Sequence, residues 1–458
     1  MRERAAVHFV GIGGIGMSAL ARLLLARGER VSGSSDRPSP LLERLAAEGA
    51  TIALGHAPEN LGDARCVVVS AAIADENPEL VAARARNCEI VRRGTLLARL
   101  AAEHRALAIA GTHGKTTTTA MVAAILEGAG LDPTVAVGGE LLGSERNART
   151  GAGPYFVLEA DESDRSFLEL QPSYALVGNV EDDHVASPAE FAALLADFER
   201  FLASVPAEGA VAIGIDEPHG AELARRPRPA RSRTFGFAAG AEVRACERAH
   251  AGFGSSATIE RMGARLGRLQ LQIPGEHNLR NALGAVALAG ELEIPFGTCA
   301  DALAAFRGVH RRFEILARTA RMTVVDDYAH HPTAVAATIA AARAAGLAPL
   351  VVAFEPHRYT RTAYLAPAFA RALAAADRVV LTDIYAASEP PLAGIDARSI
   401  GRPLEAAGVP VAYVASPADL PEHLLAHTPR GALVLMLGAG SISQAAHALA
   451  GELAPLAV

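Results

Sequence analysis

Lysine is all but missing from this 458-residue chain: of 43 lysine and arginine residues a single one, Lys115, is lysine. Cysteine is scarce too. Cys66, Cys88, Cys246 and Cys299 are scattered with no Cys-x-x-Cys pair, which argues against a zinc knuckle or a disulfide framework and suits a reducing compartment. No uninterrupted apolar stretch reaches membrane-spanning length, and Met-Arg-Glu-Arg leads directly into the apolar run Ala5–Val10 without a signal-peptide pattern. A cytoplasmic protein with no membrane partner is therefore expected. A basic field is lacking as well: the formal charge is −7, so nucleic acid is not an expected partner. No tandem repeat or low-complexity tail is visible. What remains is ordinary globular composition, half apolar and a fifth charged, with a length that suits about three domains. Alanine is so abundant that alanine-rich helices carry little information.

The lone lysine sits in Gly111-Thr112-His113-Gly114-Lys115-Thr116-Thr117. The apolar run Leu107–Ala110 before it reads as a buried strand, and Thr116–Leu126 after it reads as a helix. Strand, glycine turn, Lys-Thr and helix N-terminus make a phosphate cradle: backbone N–H groups and the helix dipole favour an anion, Lys115 adds a point charge, and the Thr116 hydroxyl can ligate magnesium. Ile109 stands where the strict Walker pattern has its first glycine, so this is the shorter Gly-x-x-Gly-Lys-Thr form. An ordinary strand–helix turn is the plain alternative. It leaves unexplained why an ammonium survives here and nowhere else, when a compact ammonium fits a tight turn that a planar guanidinium does not.

Three α/β units are expected, at residues 1–99, 100–308 and 309–458. In the first, strand Ala5–Val10 leads through Gly11-Ile12-Gly13-Gly14-Ile15-Gly16 into a helix Met17–Ala26, and Asp36 follows the strand Arg30–Ser34. This is the dinucleotide fingerprint, with an acid placed for ribose hydroxyls; alone it does not distinguish a UDP-linked ligand from NAD, or either from a packing turn. Later strands are read at Cys66–Ser70, Tyr155–Glu159, Tyr174–Gly178, Met322–Asp326, Leu350–Ala353, Arg378–Leu381 and Leu433–Leu437, with a helix at Asn278–Leu292. The stretch 205–272 reads as short, irregular β-like runs. Alternating strands and helices imply parallel sheets with ligands at the carboxyl ends of strands.

Chemistry-bearing residues fall at those ends. Glu159-Ala160-Asp161-Glu162-Ser163-Asp164 places four carboxylates in six residues, which repel unless a cation or solvent separates them, and magnesium suits hard oxygen ligands beside a phosphate loop. A solvated acidic loop is the competing reading. His184, after Asp182 and Asp183, is a candidate ligand or anion stabiliser. Asn278 and Asn281 share a helix face, suited to reading a purine edge, with helix capping by Asn278 the alternative. Arg311-Arg312-Phe313-Glu314, Asp326-Asp327-Tyr328-Ala329-His330-His331-Pro332 and Glu355-Pro356-His357-Arg358-Tyr359-Thr360-Arg361 border strands of the third unit, where Arg358 and Arg361 offer a carboxylate clamp.

In this order the segments closely resemble the Mur ligase family, across nearly the whole chain and with high joint specificity. The resemblance implies a Rossmann-like N-terminal domain for a UDP-sugar, a central P-loop ATPase-type domain for ATP and Mg2+, and a C-terminal Rossmann-like α/β domain for an amino acid. It implies catalysis by Lys115, Glu159, His184, Arg312 and His330. It further implies metal contacts from Thr116, Glu159 and His184, and ATP contacts from Gly111 to Thr117, Asn278, Asn281, Arg312 and Asp327. The UDP-sugar would meet Gly11, Gly13, Gly14, Gly16, Ser18, Asp36, His56 and Ser70; the amino acid would meet Tyr328, His330, His357, Arg358 and Arg361. Within the family the pattern resembles the branch that adds L-alanine to UDP-N-acetylmuramate, with closure of the units assembling the site and a monomer or weak homodimer as the working form. The branch that recycles a tripeptide is the alternative; a nicotinamide oxidoreductase and a non-catalytic nucleotide-binding module are rivals of other classes. Two departures stand out. Val185-Ala186-Ser187-Pro188 replaces the usual continuation after Asp-His, and no lysine remains for the carbamoylated metal bridge of several sister ligases.

Overall fold

A computed structural model describes residues 6–144, 146–182 and 187–453. Three sheets organise it. The first holds β1 (Ala6–Val10), β2 (Arg30–Ser35), β3 (Thr51–Leu54), β4 (Cys66–Val69) and β5 (Glu89–Arg92), all parallel, in the order β3-β2-β1-β4-β5. Its helices are α1 (Ile15–Ala26), α2 (Pro40–Ala47), α3 (Pro78–Ala85) and α4 (Arg93–Ala101). The chain winds one way from β1 to β3 and the other way through β4 and β5. The turn after β1 therefore lies at a topological switch point, where open α/β sheets bind ligands.

The body of the second sheet runs β12-β11-β10-β6-β9-β7-β8. Its elements are β6 (Arg105–Ala110), α5 (Lys115–Gly128), β7 (Thr134–Ala136), β8 (Ala148–Arg149), β9 (Tyr155–Glu159), β10 (Tyr174–Val177), α6 (Pro188–Ala203), β11 (Ala210–Gly214), α7 (Pro218–Arg225) and β12 (Arg231–Gly236). Ser187 caps α6, accepting from the Glu190 N–H with Pro188 in the first turn, so part of the departure from the family pattern starts a helix. The expectation of irregular runs over 205–272 needs correction. β13 (Val243–Ala251), β14 (Gly254–Arg261) and β15 (Ala264–Leu271) are long strands of the same sheet. Arginine and glutamate on their open faces blur the alternation. The Met262–Gly263 turn, with φ of +50° and +81°, is a hairpin turn made without the usual Asn-Gly signal.

Helices α8 (Glu276–Glu291) and α9 (Phe296–Ala305) lead to the third sheet. It contains β16 (Glu314–Arg318), β17 (Met322–Asp327), α10 (Pro332–Ala344), β18 (Leu350–Phe354), α11 (Tyr359–Leu373), β19 (Arg378–Leu381), α12 (Arg398–Ala406), β20 (Val411–Tyr413), α13 (Leu420–His427), β21 (Ala432–Leu437) and α14 (Ile442–Glu452). The order is β16-β17-β21-β18-β19-β20, parallel except for the edge strand β16. Every residue of β17, β18 and β21 is buried, as helices on both faces of a parallel sheet require. Among the described residues no helix is long and apolar enough to cross a membrane.

By packing, the chain forms two compact units. One runs to Cys246 and includes Ile259–Gly267 and Arg280–Leu303; the other comprises Glu247–Thr258, Arg268–Leu279 and the chain from Ala304 onward. Within the first, a buried asparagine pins the first sheet's helix layer to the loop between β7 and β8. Asn147 Nδ2 donates to Ile15 O (2.6 Å) and Ser18 Oγ (2.8 Å), while its Oδ1 accepts from Arg22 Nη1. Asn147→Ala takes one hydrogen bond each from Ile15 O and Ser18 Oγ, which stay bonded to each other, and removes the acceptor of the buried Arg22 Nη1, a group that costs about 1–3 kcal/mol when left unpaired. The expected result is a drop in thermal midpoint of several degrees in scanning calorimetry; an unchanged midpoint would remove the pin from the account.

Candidate active site

The phosphate loop leaves β6 at Ala110 and needs glycine twice. Gly111 has φ +132° and Gly114 φ +79°. A Cβ on Gly111 would lie 3.0 Å from Asn179 O, and one on Gly114 only 2.4 Å from Asn281 Oδ1. Asn179, at the end of β10, holds the loop's shape: its Oδ1 accepts from His113 N (2.8 Å), its Nδ2 donates to His113 O (3.0 Å), and its O accepts from Thr112 N (3.0 Å). Lys115 opens α5. Its Nζ donates to Gly111 O (2.8 Å), Thr112 O (3.3 Å) and both oxygens of Glu162 (2.9 and 2.8 Å). Burial would lower the ammonium pKa, but Glu162, Glu159 and Asp161 outweigh it and raise it above the usual lysine value. Lys115 is a fixed cation.

Thr116 and Glu159 meet beside it. The Thr116 hydroxyl donates to the Glu159 carboxylate at 3.0 and 3.2 Å, and Gly138 N donates to Glu159 Oε2 at 2.9 Å. Thr117 is buried one residue further along α5. The four carboxylates do not form a bare solvated loop. Glu162 pairs with Lys115, Glu159 with Thr116, and Asp161 and Asp164 share Arg93 Nη2 at 3.3 and 3.0 Å. Burial works against the Asp161 anion, yet Lys115 and the Ser163 donors hold its pKa below the usual carboxylate value. His184 lies outside the described residues, as does Asp183. Asn278 does not cap α8: it sits inside the helix, buried, with Nδ2 donating to Pro274 O at 2.8 Å.

In the first sheet, Gly11 N and Ile12 N donate to Ser34 O at 3.0 and 2.9 Å, folding the glycine turn against β2. Gly14 caps α1, a Cβ on Gly13 would meet Ser35 Oγ at 2.7 Å, and one on Gly16 would meet Arg93 Nη1 at 3.0 Å. Asp36 is exposed at the end of β2 and faces His56 Nε2 at 3.2 Å. Ser70 Oγ accepts from Ala72 N at 3.2 Å, capping its own turn. Ser18 departs from its expected place at the sugar nucleotide. Its side chain is fully buried, donates to Ile15 O and accepts from Asn147, so its hydroxyl is spent on packing.

The third sheet's carboxyl end carries three residues with backbone strain: Arg311 (φ +59°), Phe313 (φ +51°) and Arg358 (φ +68°). Such outliers persist where surroundings over-determine them, commonly at functional sites. Asp327 holds one of these residues and the start of its own loop, accepting from Phe313 N (2.7 Å) and Ala329 N (2.8 Å). Burial pushes its carboxyl up to about 6 despite Arg312 nearby. The guanidinium carbons of Arg311 and Arg312 each lie 4.9 Å from the centre of the Tyr328 ring. From Tyr328 an aromatic series continues through His330 (5.0 Å) and His357 (5.7 Å) to Tyr385, stacked on His357 at 5.5 Å. His330 Nδ1 lies 2.7 Å from Tyr328 O; as a carbonyl only accepts, Nδ1 carries the proton and Nε2 is the basic nitrogen. Arg361, buried in the first turn of α11, has Nη1 3.4 Å from His357 Nδ1. Arg358 is exposed at the cap of that helix.

Family models match the chain in three blocks: "Mur ligase family, catalytic domain" over residues 6–105, "Mur ligase middle domain" over 109–289 and "Mur ligase, glutamate ligase domain" over 311–440. A UDP-N-acetylmuramate–L-alanine ligase from Geotalea uraniireducens (strain Rf4) is 43% identical over 448 residues, 98% of each chain. This chain belongs to the Mur ligase family. The crystal structure of a UDP-N-acetylmuramate-alanine ligase from Thermotoga maritima matches with a TM-score of 0.84 at 31% identity, covering 97% of this chain and 98% of that one. A murein peptide ligase from Psychrobacter arcticus 273-4 shares the fold, with a TM-score of 0.74 at 23% identity over 99% of this chain and 100% of that one. The three-domain α/β architecture expected from the sequence is thus the fold of this Mur ligase.

Three polar residues that contact the candidate positions carry no signal of their own in the sequence: Glu162 and Asn179 at the phosphate loop and, in the third sheet's unit, Tyr385. Glu162 was visible only as one acid among four. Asn179 directly follows the strand expected at Tyr174–Gly178, where a lone asparagine does not stand out. Tyr385 follows β19 in a segment with no motif, and only its stacking on His357 reveals it. For Glu162 the retained lysine was a usable signal, since a lone buried ammonium needs a carboxylate partner.

Proposed function

We propose that this Mur ligase joins L-alanine to the lactyl carboxylate of UDP-N-acetylmuramate, with ATP converted to ADP and phosphate, as a cytoplasmic enzyme of peptidoglycan precursor synthesis. The observation that carries this is the 43% identity to an alanine-adding ligase across 98% of both chains. The phosphate loop, with its single lysine, supports ATP as the energy source.

Residues 1–99, 100–308 and 309–458 hold the UDP-sugar, ATP and the amino acid in turn. The glycine turn after β1 takes the UDP portion, with Asp36 and His56 at the ribose. The 111–117 loop takes the ATP phosphates, and Asn278, Asn281, Arg312 and Asp327 serve the nucleotide. Magnesium fits Thr116 and Glu159, two hard oxygen donors already in contact, with His184 as a further ligand; bound there, it would neutralise phosphate charge. A carboxylate oxygen attacks the γ-phosphorus and ADP leaves, giving an acyl phosphate. The alanine amine then attacks the acyl carbon, a proton passes to a base, and phosphate leaves from the tetrahedral intermediate. His330 Nε2 is the candidate base, because Tyr328 O holds the ring with Nδ1 protonated. Lys115 stabilises the charge gathered in both steps, so catalysis is chiefly positioning and electrostatics. Arg358, Arg361, Tyr328 and His357 receive the amino acid.

ADP release, measured with each of UDP-N-acetylmuramate, L-alanine and ATP omitted in turn, tests the proposal. Full turnover is expected only with all three; equal ADP release without the sugar or without alanine would overturn it. A nicotinamide enzyme predicts otherwise at the first glycine turn. Calorimetry should give binding of UDP-N-acetylmuramate and none of NAD, and Gly13→Val should abolish it, since a side chain there meets Ser35. Strong NAD binding without sugar-nucleotide binding would contradict the ligase reading.

A further inference from the structure

One buried carboxylate of the first domain collects donors from four different elements. Asn77 caps α3, its Oδ1 accepting from Glu79 N at 2.9 Å, and Pro78 fills the first position. Glu79 therefore stands in the first turn, where the helix dipole favours an anion. Its side chain is fully buried. Oε1 accepts from Asn60 Nδ2 (2.6 Å) and Ala57 N (3.3 Å). Oε2 accepts from Ser34 Oγ (2.6 Å) and faces His56 Nδ1 (3.3 Å) and His8 Nε2 (3.4 Å). Burial alone would raise its pKa, but the His8, Ser34 and Asn60 hydrogen bonds prevail and hold it at about 2. The anion is permanent and its geometry over-determined.

One of its partners leads outward. Ser34 has one hydroxyl proton, and the 2.6 Å contact commits it to Glu79. Ser34 Oγ therefore turns a lone pair to His56 Nδ1, 2.9 Å away. Both neighbours of Nδ1 are acceptors, so Nδ1 carries a proton and the ring cannot flip without losing both contacts. That orientation leaves His56 Nε2 3.2 Å from Asp36 Oδ1 at the open end of β2, and because a carboxylate only accepts, the ring holds Asp36 when Nε2 carries a proton as well. The exposed Asp36 has no comparable anchor of its own: its side chain is 77% exposed and that of His56 13%.

We infer that Glu79 is a positioning residue for the sugar nucleotide, orienting His56 and, through it, Asp36 for the ribose hydroxyls. The inference rests on the reading that the first domain holds the UDP portion. Glu79 touches no ligand; it sets the direction of the groups that do. A carboxylate is required, because the Ser34 hydroxyl and His56 Nδ1–H both donate to it or beside it, and an amide nitrogen turned toward them offers a donor to donors.

The test uses the full chain. Glu79→Gln, His56→Ala and Ser34→Ala are each expected to raise the KM for UDP-N-acetylmuramate about tenfold, the scale of one lost positioning hydrogen bond. The KM for ATP and kcat should stay within about twofold. Combining Glu79→Gln with His56→Ala should cost no more than the worse single change, because Glu79 acts through that ring. Calorimetric binding of UDP-N-acetylmuramate should follow the same pattern. Ser34→Ala keeps the question open to disproof if Glu79→Gln does not fold, since it removes the shorter link to His56 and leaves the carboxylate with only its 3.3 Å contact to that ring. Additive losses in the double variant, or equal changes in all three constants, would reduce Glu79 to a structural support and overturn the inference. Wild-type protein that binds the sugar nucleotide no better than its variants also overturns it. Wild-type protein that does not bind it at all instead defeats the underlying reading.

Discussion

Lys115→Arg is expected to lose ATP turnover by a hundredfold or more while keeping the wild-type fold. Four acceptors (Gly111 O, Thr112 O and both Glu162 oxygens) converge on Nζ within 2.8–3.3 Å. A tetrahedral ammonium can serve acceptors crowded around one atom; a planar guanidinium spreads its donors over a wider fork and carries its charge further out. In the loop, the charge would miss the place where transition-state oxygens gather, and such contacts contribute several kcal/mol, about 100-fold or more in rate. Initial rates of ADP release measure the loss, and circular dichroism with thermal melting confirms the fold. Near-normal turnover in this variant would show that the loop's lysine does not serve phosphate chemistry. The rest of the chain makes the case sharper, since arginine has been accepted at every other basic position.

The second large effect belongs to the amino-acid site. L-alanine offers one carboxylate, one amine that must stay available as nucleophile, and a methyl group. The carboxylate is the strong handle, and a guanidinium is its natural partner. Arg361 is the better placed of the two candidates. It is buried beside His357, whereas Arg358 is exposed at the helix cap. Arg361→Ala should raise the KM for alanine about a hundredfold, the cost of a charge-assisted pair lost from a buried site, with the KM for ATP changed by less than about threefold. Arg358→Ala should act in the same direction and more weakly. A methyl group selects little by attraction, so glycine and serine should be discriminated by only about ten- to a few-hundredfold. Steady-state kinetics with each amino acid check both claims. A normal alanine KM in Arg361→Ala and Arg358→Ala together would remove the clamp.

The parts of the site that were legible in the sequence are those whose chemistry needs fixed residue types at fixed local spacing. Gly111, Gly114, Lys115 and Thr116 lie within six residues, and the backbone conformation they require can be read from the glycines themselves. The same holds for the turn at Gly11–Gly16 and for the buried strands of the third sheet, whose apolar runs are unbroken. Less legible was anything settled by partners distant in the chain. Ser18 looked like part of a ligand loop until Asn147, 129 residues away, claimed its hydroxyl. Glu79 carries no local signal, because Ser34, Asn60 and His56 come together on it only through the order of the strands. Hairpins β13–β15 were blurred by charged residues on their open faces and by a Met-Gly turn. The strained backbone at Arg311, Phe313 and Arg358 is likewise imposed from outside, by contacts such as the Asp327 carboxylate on Phe313 N.

Free L-alanine is the amine this Mur ligase is expected to use. The most direct test is a competition: the protein is given UDP-N-acetylmuramate, ATP and Mg2+ with equal concentrations of L-alanine and the tripeptide L-alanyl-γ-D-glutamyl-meso-diaminopimelate. The UDP-linked product is then weighed by mass spectrometry. The expected product is heavier than the substrate by one alanine residue and forms together with an equal amount of ADP. A product carrying the tripeptide, or ADP release without a heavier sugar nucleotide, would contradict it.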